Sequence, residues 1–207
     1  MPKMVMLLDV AIGDWLTNYL DLLDKFLGEY LEKLEEEYEE GEMDEELFLY
    51  QRDYLNILRK SFIITCYSIL ERELVAVCKS QKKLKSFTED INDFKGGVID
   101  KAMKYLKRVV GIDLSTAKSW QDIKNIQLIR NCIVHSDGNS TCKNFEKIRD
   151  YIEKRKQKDI TIENDKIILT TEYCRYVVNT FNEFEFDTKC RLVDSKGLEI
   201  DQSIKLS

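Results

Sequence analysis

The chain has 207 residues, 43% of them hydrophobic and 34% charged, with a formal net charge of −6. This length and balance predict one globular domain that buries a substantial core. The longest apolar runs are far too short to span a bilayer, and no basic segment precedes a cleavable apolar stretch. We therefore expect a cytoplasmic protein that has no membrane partner.

The charge is distributed unevenly along the chain. Residues 1–50 carry 15 acidic and 3 basic side chains, whereas residues 51–207 carry 23 acidic and 29 basic ones. A basic body could attract a polyanion, and an acidic arm could repel or mimic one. The simpler interpretation is a solvated face on an acidic protein, so charge alone does not prove a nucleic-acid partner.

The sequence offers no motif for a metal or a nucleotide cofactor. Six cysteines are scattered without a CxxC pair, mostly in apolar stretches, which favours reduced core thiols over disulfides or a zinc site. There is one histidine and no HExxH, and neither a P-loop nor a Rossmann fingerprint is present. We therefore expect no cofactor.

Helical periodicity dominates the first half of the chain. Apolar residues three and four apart predict an amphipathic helix over residues 10–39, within an acidic N-terminal element of residues 1–42. Gly41 separates it from a second long helix, residues 44–80, and two such helices should pack as an antiparallel hairpin. Residues 81–95 are polar and predict an irregular segment.

The later elements follow from capping and turn signals. The first is a helix from Gly97 or Val98 to Val110, ended by Gly111, and the second is a helix over residues 120–136, capped by Ser119 and ended by Gly138. A charged helix over residues 144–156 follows, and then a β-hairpin of residues 159–163 and 166–170 around Asn164-Asp165. The last predicted elements are a helix from residue 172 to about 186, capped by Thr170 or Thr171, and a frayed or strand-like tail. The fold class is therefore mainly all-α. We expect one domain over residues 1–207: a bundle of about five to six helices with a small hairpin near residues 159–169, the main body being residues 44–190 and the tail residues 191–207.

The single histidine, His135, closes the hexapeptide Arg130-Asn131-Cys132-Ile133-Val134-His135. Imidazole is the one side chain whose ordinary pKa lies near physiological pH, so it can give and take a proton there. An arginine about one helical turn away supplies a planar cation that suits a phosphate. If the protein is an enzyme that uses histidine, there is only one candidate.

A helical wheel indicates where the side chains of this segment point. At about 100° per residue, one apolar arc contains Ile123, Ile126, Ile129, Ile133 and Val134. Arg130 falls inside that arc, which is costly unless the arginine is paired or faces a wet interface or cleft. The structural alternative is that Arg130 pairs with a carboxylate such as Glu71 or Glu73. Asn131 and His135 share a neighbouring face.

The motif resembles the R-x4–6-H signature of HEPN domains, in which a polar residue, commonly asparagine, follows the arginine. The stretch Ser61-Phe-Ile-Ile-Thr-Cys-Tyr-Ser-Ile-Leu-Glu-Arg-Glu-Leu also resembles a long core helix of such proteins, and it contains Glu71. The resemblance covers residues 44–186. It implies a helical bundle that acts as a homodimer, with two motifs facing one cleft.

The resemblance further implies a metal-independent endoribonuclease of the toxin or antiphage type, whose partners are RNA and an antitoxin protein. His135 would act as general base or acid in attack of the ribose 2′-OH on the adjacent phosphate. Arg130 would stabilise the phosphorane, Asn131 would orient the histidine or hold a phosphate oxygen, and Glu71 would support them. Products would be a 2′,3′-cyclic phosphate and a 5′-OH, and DNA would not be cut.

The basic residues nearest the motif are the candidates to line an RNA cleft, although each is also explained as solvated surface: Lys124, Lys143 and Lys147. Two alternatives to the ribonuclease stay open, namely a non-catalytic HEPN-like module that binds a nucleotide or a nucleotidyltransferase-type partner, and a helical scaffold with a structural Arg130. A nucleophilic Cys132 has no evident orienting group, so it is a weaker hypothesis.

Overall fold

The structure is a computed structural model that describes residues 12–37, 53–155 and 158–194. Within these ranges, six α-helices and one two-stranded antiparallel sheet confirm a mainly α bundle with a small hairpin. In chain order the elements are α1 (Ile12–Glu37), α2 (Leu55–Lys85), α3 (Val98–Tyr105), α4 (Trp120–Ser136), α5 (Phe145–Lys154), β1 (Ile160–Glu163), β2 (Lys166–Leu169) and α6 (Thr171–Asp194), with short 3₁₀ turns at Ile91–Asp93 and Leu114–Thr116 and a π-helical extension of α3 at Leu106–Val110.

The long helices α2 and α6 organise the bundle. Helix α2 packs against α3, α4, α6 and β2, and α6 packs against α1, α2 and α4. The core between them contains large aromatic side chains as well as aliphatic ones, and Tyr67, Tyr105, Tyr173 and Phe184 are all completely buried. Among the described helices, none combines the length and the apolar composition that crossing a membrane requires.

The first helix is confirmed as an element, but its main packing partner differs from the prediction. Helix α1 buries Leu16 and Leu20 and packs chiefly against α6, not against α2 as a hairpin. Arg175 on α6 forms ion pairs with Asp21 and Asp24 on α1, at 2.6 and 3.4 Å. Residues 44–52 of the predicted second helix lie outside the described residues.

Two predicted boundaries are wrong because helix continues through polar sequence. Residues 81–85, assigned to an irregular segment, form the last turn of α2, where lysines face the negative end of the helix dipole. Residues 187–194, assigned beyond the last helix and to the tail, belong to α6, because Thr188 and Leu192 extend its buried face. Residues 195–207 of the tail lie outside the described residues.

The local signals in the second half of the chain are largely confirmed. Strands β1 and β2 pair Ile160 with Leu169 and Glu163 with Lys166, across Asn164 and Asp165, which both have positive φ. The Thr170 hydroxyl accepts a hydrogen bond from the Tyr173 amide at 3.3 Å and so caps α6.

The two ends of α4 also lie where they were predicted, although one cap differs. Helix α4 begins at Trp120, but the Ser119 side chain makes no capping hydrogen bond, contrary to the prediction. At the other end, Asp137 and Gly138 have φ of 49° and 74°, which ends the helix.

One buried amide ties the start of α2 to the hairpin. The Asn56 side chain is 4% exposed; its Nδ2 donates to the Ile167 carbonyl and its Oδ1 accepts from the Leu169 amide, both at 3.0 Å. Arg59, almost one turn later, donates to the Leu169 carbonyl at 3.2 Å. These side chains satisfy backbone groups on the outer edge of β2, where the described residues form no third strand.

Replacing this amide should therefore destabilise the fold. We expect Asn56→Ala to lower the free energy of unfolding by about 2–4 kcal/mol, because it leaves one buried carbonyl and one buried amide without partners. Urea denaturation followed by circular dichroism measures the change. Asn179→Ala, at an exposed position on α6, serves as the control and should change stability by less than about 0.5 kcal/mol. Equal stabilities of the two variants would contradict the role of Asn56.

A second prediction concerns Glu185 on α6. Burial raises the pKa of its carboxyl to about 7; Glu73 on α2 also raises it, and Lys189 opposes the shift. Because the folded-state pKa lies above the unfolded value, the stabilisation from protonated Glu185 is complete below about pH 4.5 and is lost as the pH rises through 7. We expect Glu185→Gln to remove this decline, so its melting temperature relative to wild type should rise between pH 5 and pH 8. The exposed neighbour Glu183→Gln should leave the decline in place.

Candidate functional site

Helix α4 carries the motif and is held between α2, α5 and α6. Its predicted apolar arc is confirmed for Ile123, Ile126, Ile129 and Ile133, which are all at most 5% exposed. Val134 was assigned to the same arc and is instead 44% exposed. The arc is therefore narrower than predicted, and Val134 lies on the surface next to His135.

Arg130 lies at the edge of the buried arc, facing α2. Its guanidinium carbon is 5.1 Å from the centre of the Tyr67 ring, and its Nη1 donates to Asn131 Oδ1 at 3.0 Å. Its Nε is buried and has no hydrogen-bond partner among the described residues. The cation is thus stabilised by an aromatic face and a neutral amide and keeps unused donor capacity.

The carboxylates proposed as partners of Arg130 behave differently from each other. Burial raises the pKa of Glu71, while the charge of Arg130 lowers it, so the two groups interact electrostatically. No ion pair joins Arg130 to Glu71 within the described part of the chain. Glu73 is not its partner either, since it pairs with its neighbour Arg72 at 3.1 Å.

Tyr67 is the residue of this site that sequence reasoning missed. Its ring contacts Arg130, and burial, followed by the charge of Glu71, raises the pKa of its hydroxyl above the ordinary range. Its hydroxyl oxygen is buried between α2 and α4, and interaction with Gln127 opposes part of the pKa shift. The available signal was the tyrosine one turn before Glu71 on the same face of a helix, which marks it as a neighbour of any residue that Glu71 contacts.

His135 lies in the last turn of α4 with its side chain exposed. Across the residues that the structure describes, it makes no hydrogen bond and no ion pair. No hydrogen bond joins Asn131 to the imidazole in the described residues, and the Asn131 amide oxygen accepts from Arg130 instead. The imidazole therefore faces solvent, where a substrate or a second chain can reach it.

The three lysines proposed to bind RNA differ in their surroundings. Lys124 donates to Asp100 Oδ1 and to Gln127 Oε1, each at 3.1 Å, so it already has an acidic partner. Lys143 and Lys147 are exposed.

The structure also bears on the cysteine and metal hypotheses. Burial raises the pKa of Cys132 to about 12, and the neighbouring Cys142 adds to the shift, so the thiol is a poor nucleophile at neutral pH. The described residues contain no group of three or more histidine, cysteine, aspartate or glutamate side chains able to hold a metal ion.

Comparison with known proteins gives no family and no function for this chain, so a functional proposal has to be argued from the geometry of the site. No family model, no curated protein and no solved structure matches this chain.

The contact between Arg130 and Glu71 can be tested directly. We expect Arg130→Met to raise the pKa of the Glu71 carboxyl further, because the substitution removes the cation that opposes the effect of burial. Carboxyl ¹³C NMR titration, with the Glu71 signal assigned from its loss in Glu71→Gln, measures the shift. Arg72→Met removes an exposed cation of α2 that pairs with Glu73 and should change the Glu71 titration much less. An unchanged titration in Arg130→Met would show that the two groups do not interact.

Proposed function

We propose that the protein is a metal-independent endoribonuclease of HEPN type that acts in toxin–antitoxin or antiphage defence in the cytoplasm. The observation that carries the proposal is the pairing of a partly buried, incompletely satisfied arginine with the chain's only histidine, exposed five residues later on the same helix. A fixed cation suits a phosphate that gains charge, and a solvent-facing imidazole suits proton transfer.

In the proposed reaction, His135 removes the proton from a ribose 2′-OH, and the oxygen attacks the adjacent phosphorus. Arg130 stabilises the additional negative charge on the pentacoordinate phosphorane. The P–O5′ bond then breaks, and the leaving 5′-oxygen takes a proton. The products are a 2′,3′-cyclic phosphate and a 5′-OH. Glu71 supports the site by interacting with Arg130.

This reaction uses one group that accepts a proton and one that donates it, whereas a single chain contains one histidine. A homodimer with two facing motifs would supply both groups. The exposed Val134, adjacent to His135, offers an apolar contact for a second copy. Lys143 and Lys147 are exposed and remain candidates for phosphate contacts, while Lys124 would first have to leave Asp100. An antitoxin protein is the partner that would restrain such an activity.

A non-catalytic binding module is the second candidate. It is favoured by the hydrogen bond between Arg130 and Asn131, which engages the Asn131 amide oxygen and leaves His135 without an orienting partner in the described residues. Such a module would still bind a nucleotide or a protein when His135 is replaced.

Substitution of His135 separates the two candidates. We expect purified wild type to cut mixed-sequence single-stranded RNA, with metal chelated, and to leave a DNA of the same sequence intact. His135→Ala should lower the cleavage rate by about a hundredfold or more. Gel analysis measures cleavage, and enzymatic end-labelling identifies the cyclic phosphate and the 5′-OH.

The control is Gln121→Ala, at an exposed position of the same helix, which should cleave like wild type. Growth arrest on expression in bacteria, lost in His135→Ala, would extend the result to cells. RNA that stays intact with wild type, together with partner or nucleotide binding that survives His135→Ala, would replace the ribonuclease with the binding module. Unfolding of Arg130→Ala alone, with no effect of His135→Ala, would favour a scaffold.

A further inference from the structure

A buried lysine holds the turn that follows the motif helix. Lys60 is 5% exposed, and its Nζ donates to the Asp137 carbonyl at 2.6 Å and to Asp137 Oδ1 at 3.1 Å. Lysine is almost never buried without partners, because removing its charge from water is costly. Here the main partner is a backbone carbonyl at the end of α4, where the unpaired carbonyls and the helix dipole favour a cation.

The same turn is held from a second side by the hairpin. The Gly138 carbonyl accepts from the Ile167 amide at 2.9 Å, and the Ser140 amide donates to the Asp165 carbonyl at 2.9 Å. A Cβ atom on Gly138 would lie 3.4 Å from Lys60 Cε, so the lysine stem packs directly against this glycine. The end of α4 is therefore clamped between α2 and β2.

His135 lies two positions before Asp137, next to the turn that Lys60 and Ile167 hold by hydrogen bonds. Its side chain is exposed, and nothing in the described part of the chain bonds to it, so its direction depends on the backbone of the last turn. That backbone contains Asp137 in the left-handed region, with φ of 49°, a conformation that a residue other than glycine adopts at some energetic cost. The contact with Lys60 adds to the backbone hydrogen bonds that hold this turn, in which the Gly138 amide donates to the Cys132 carbonyl at 3.1 Å.

We propose that Lys60 is a positioning residue for His135, acting through the Asp137 carbonyl that it holds at the end of α4. The inference rests on the proposed ribonuclease function for its effect on catalysis, and on the geometry alone for its effect on the imidazole. Lys60 lies on another helix, 75 positions before His135, and within the described residues it makes no hydrogen bond or ion pair with Arg130 or His135.

The test compares Lys60→Met, which removes the charge and keeps a similar length, with Lys60→Arg, which can still donate to the carbonyl. A cavity of about 180 Å³ beside Lys60, lined also by Asn56 and Asp137, gives the longer arginine room. Because the chain has one histidine, its imidazole ¹H–¹³C NMR signals report on this site alone. Melting temperature and RNA cleavage kinetics are measured on the same full-length variants.

We expect Lys60→Met to move or broaden the His135 signals and to lower kcat between about tenfold and a hundredfold with little change in KM, since small displacements of a catalytic group have effects of this size. Lys60→Arg should restore both readouts. Lys166→Met, an exposed lysine that lines the same cavity, should behave like wild type. If Lys60→Met does not fold, Lys60→Gln, which has no charge and a side chain one bond too short for the 2.6 Å contact with the Asp137 carbonyl, takes its place in the comparison.

Three results would overturn the proposal. In a folded Lys60 variant that has lost the ammonium, His135 signals and kcat equal to those of wild type would show that the histidine does not depend on Lys60. A change in KM alone would assign Lys60 to RNA binding. Failure of Lys60→Arg to restore the signals would show a general packing role. If wild type cuts no RNA, the proposed function fails, while the NMR comparison still decides the positioning role.

Discussion

The arrangement depends on the polar groups that α2 carries on its buried face. Asn56, Lys60 and Tyr67 fall on one side of this helix, with Glu71 at its margin, and each meets a different part of the structure. The Asn56 amide hydrogen-bonds the backbone of β2, and the Lys60 ammonium hydrogen-bonds a carbonyl in the turn that ends α4. The Tyr67 ring contacts the Arg130 guanidinium. Because a buried polar group is costly without its partner, these contacts fix α4 and the hairpin relative to α2 more narrowly than apolar packing does.

The elements that were predicted well are those with a local signal. Helix α4 follows from its aliphatic spacing and its ending from Gly138, and the hairpin follows from alternating residues around Asn164-Asp165. The ends of α2 and α6 were missed because lysines and aspartates there are compatible with both helix and loop, and burial by distant elements decides between them. The partner of α1 is likewise a long-range property that periodicity does not contain.

In the candidate site, too, local features were predicted and long-range contacts were not. The wheel predicted that Arg130 lies at the apolar side of α4, which the structure bears out, but not that Tyr67 faces it, since the rotation of α2 against α4 depends on the whole core. The assignment of Asn131 to His135 relied on their spacing of four, whereas the adjacent guanidinium is the stronger donor and takes the amide. The predicted lysines were chosen by proximity in sequence, which says little about proximity in space. The ribonuclease activity remains a proposal that the site geometry supports.

The clamp on Asp137 and Gly138 joins residues that are far apart in the order of synthesis. The end of α4 needs Lys60, which the ribosome makes early, and also Ile167, which it makes late. A nascent chain that stops before β2 therefore contains the complete hexapeptide but lacks the hydrogen bond from Ile167 to the turn that follows it. If the proposed activity harms the host, this order of synthesis would delay the finished site until most of the chain has been made.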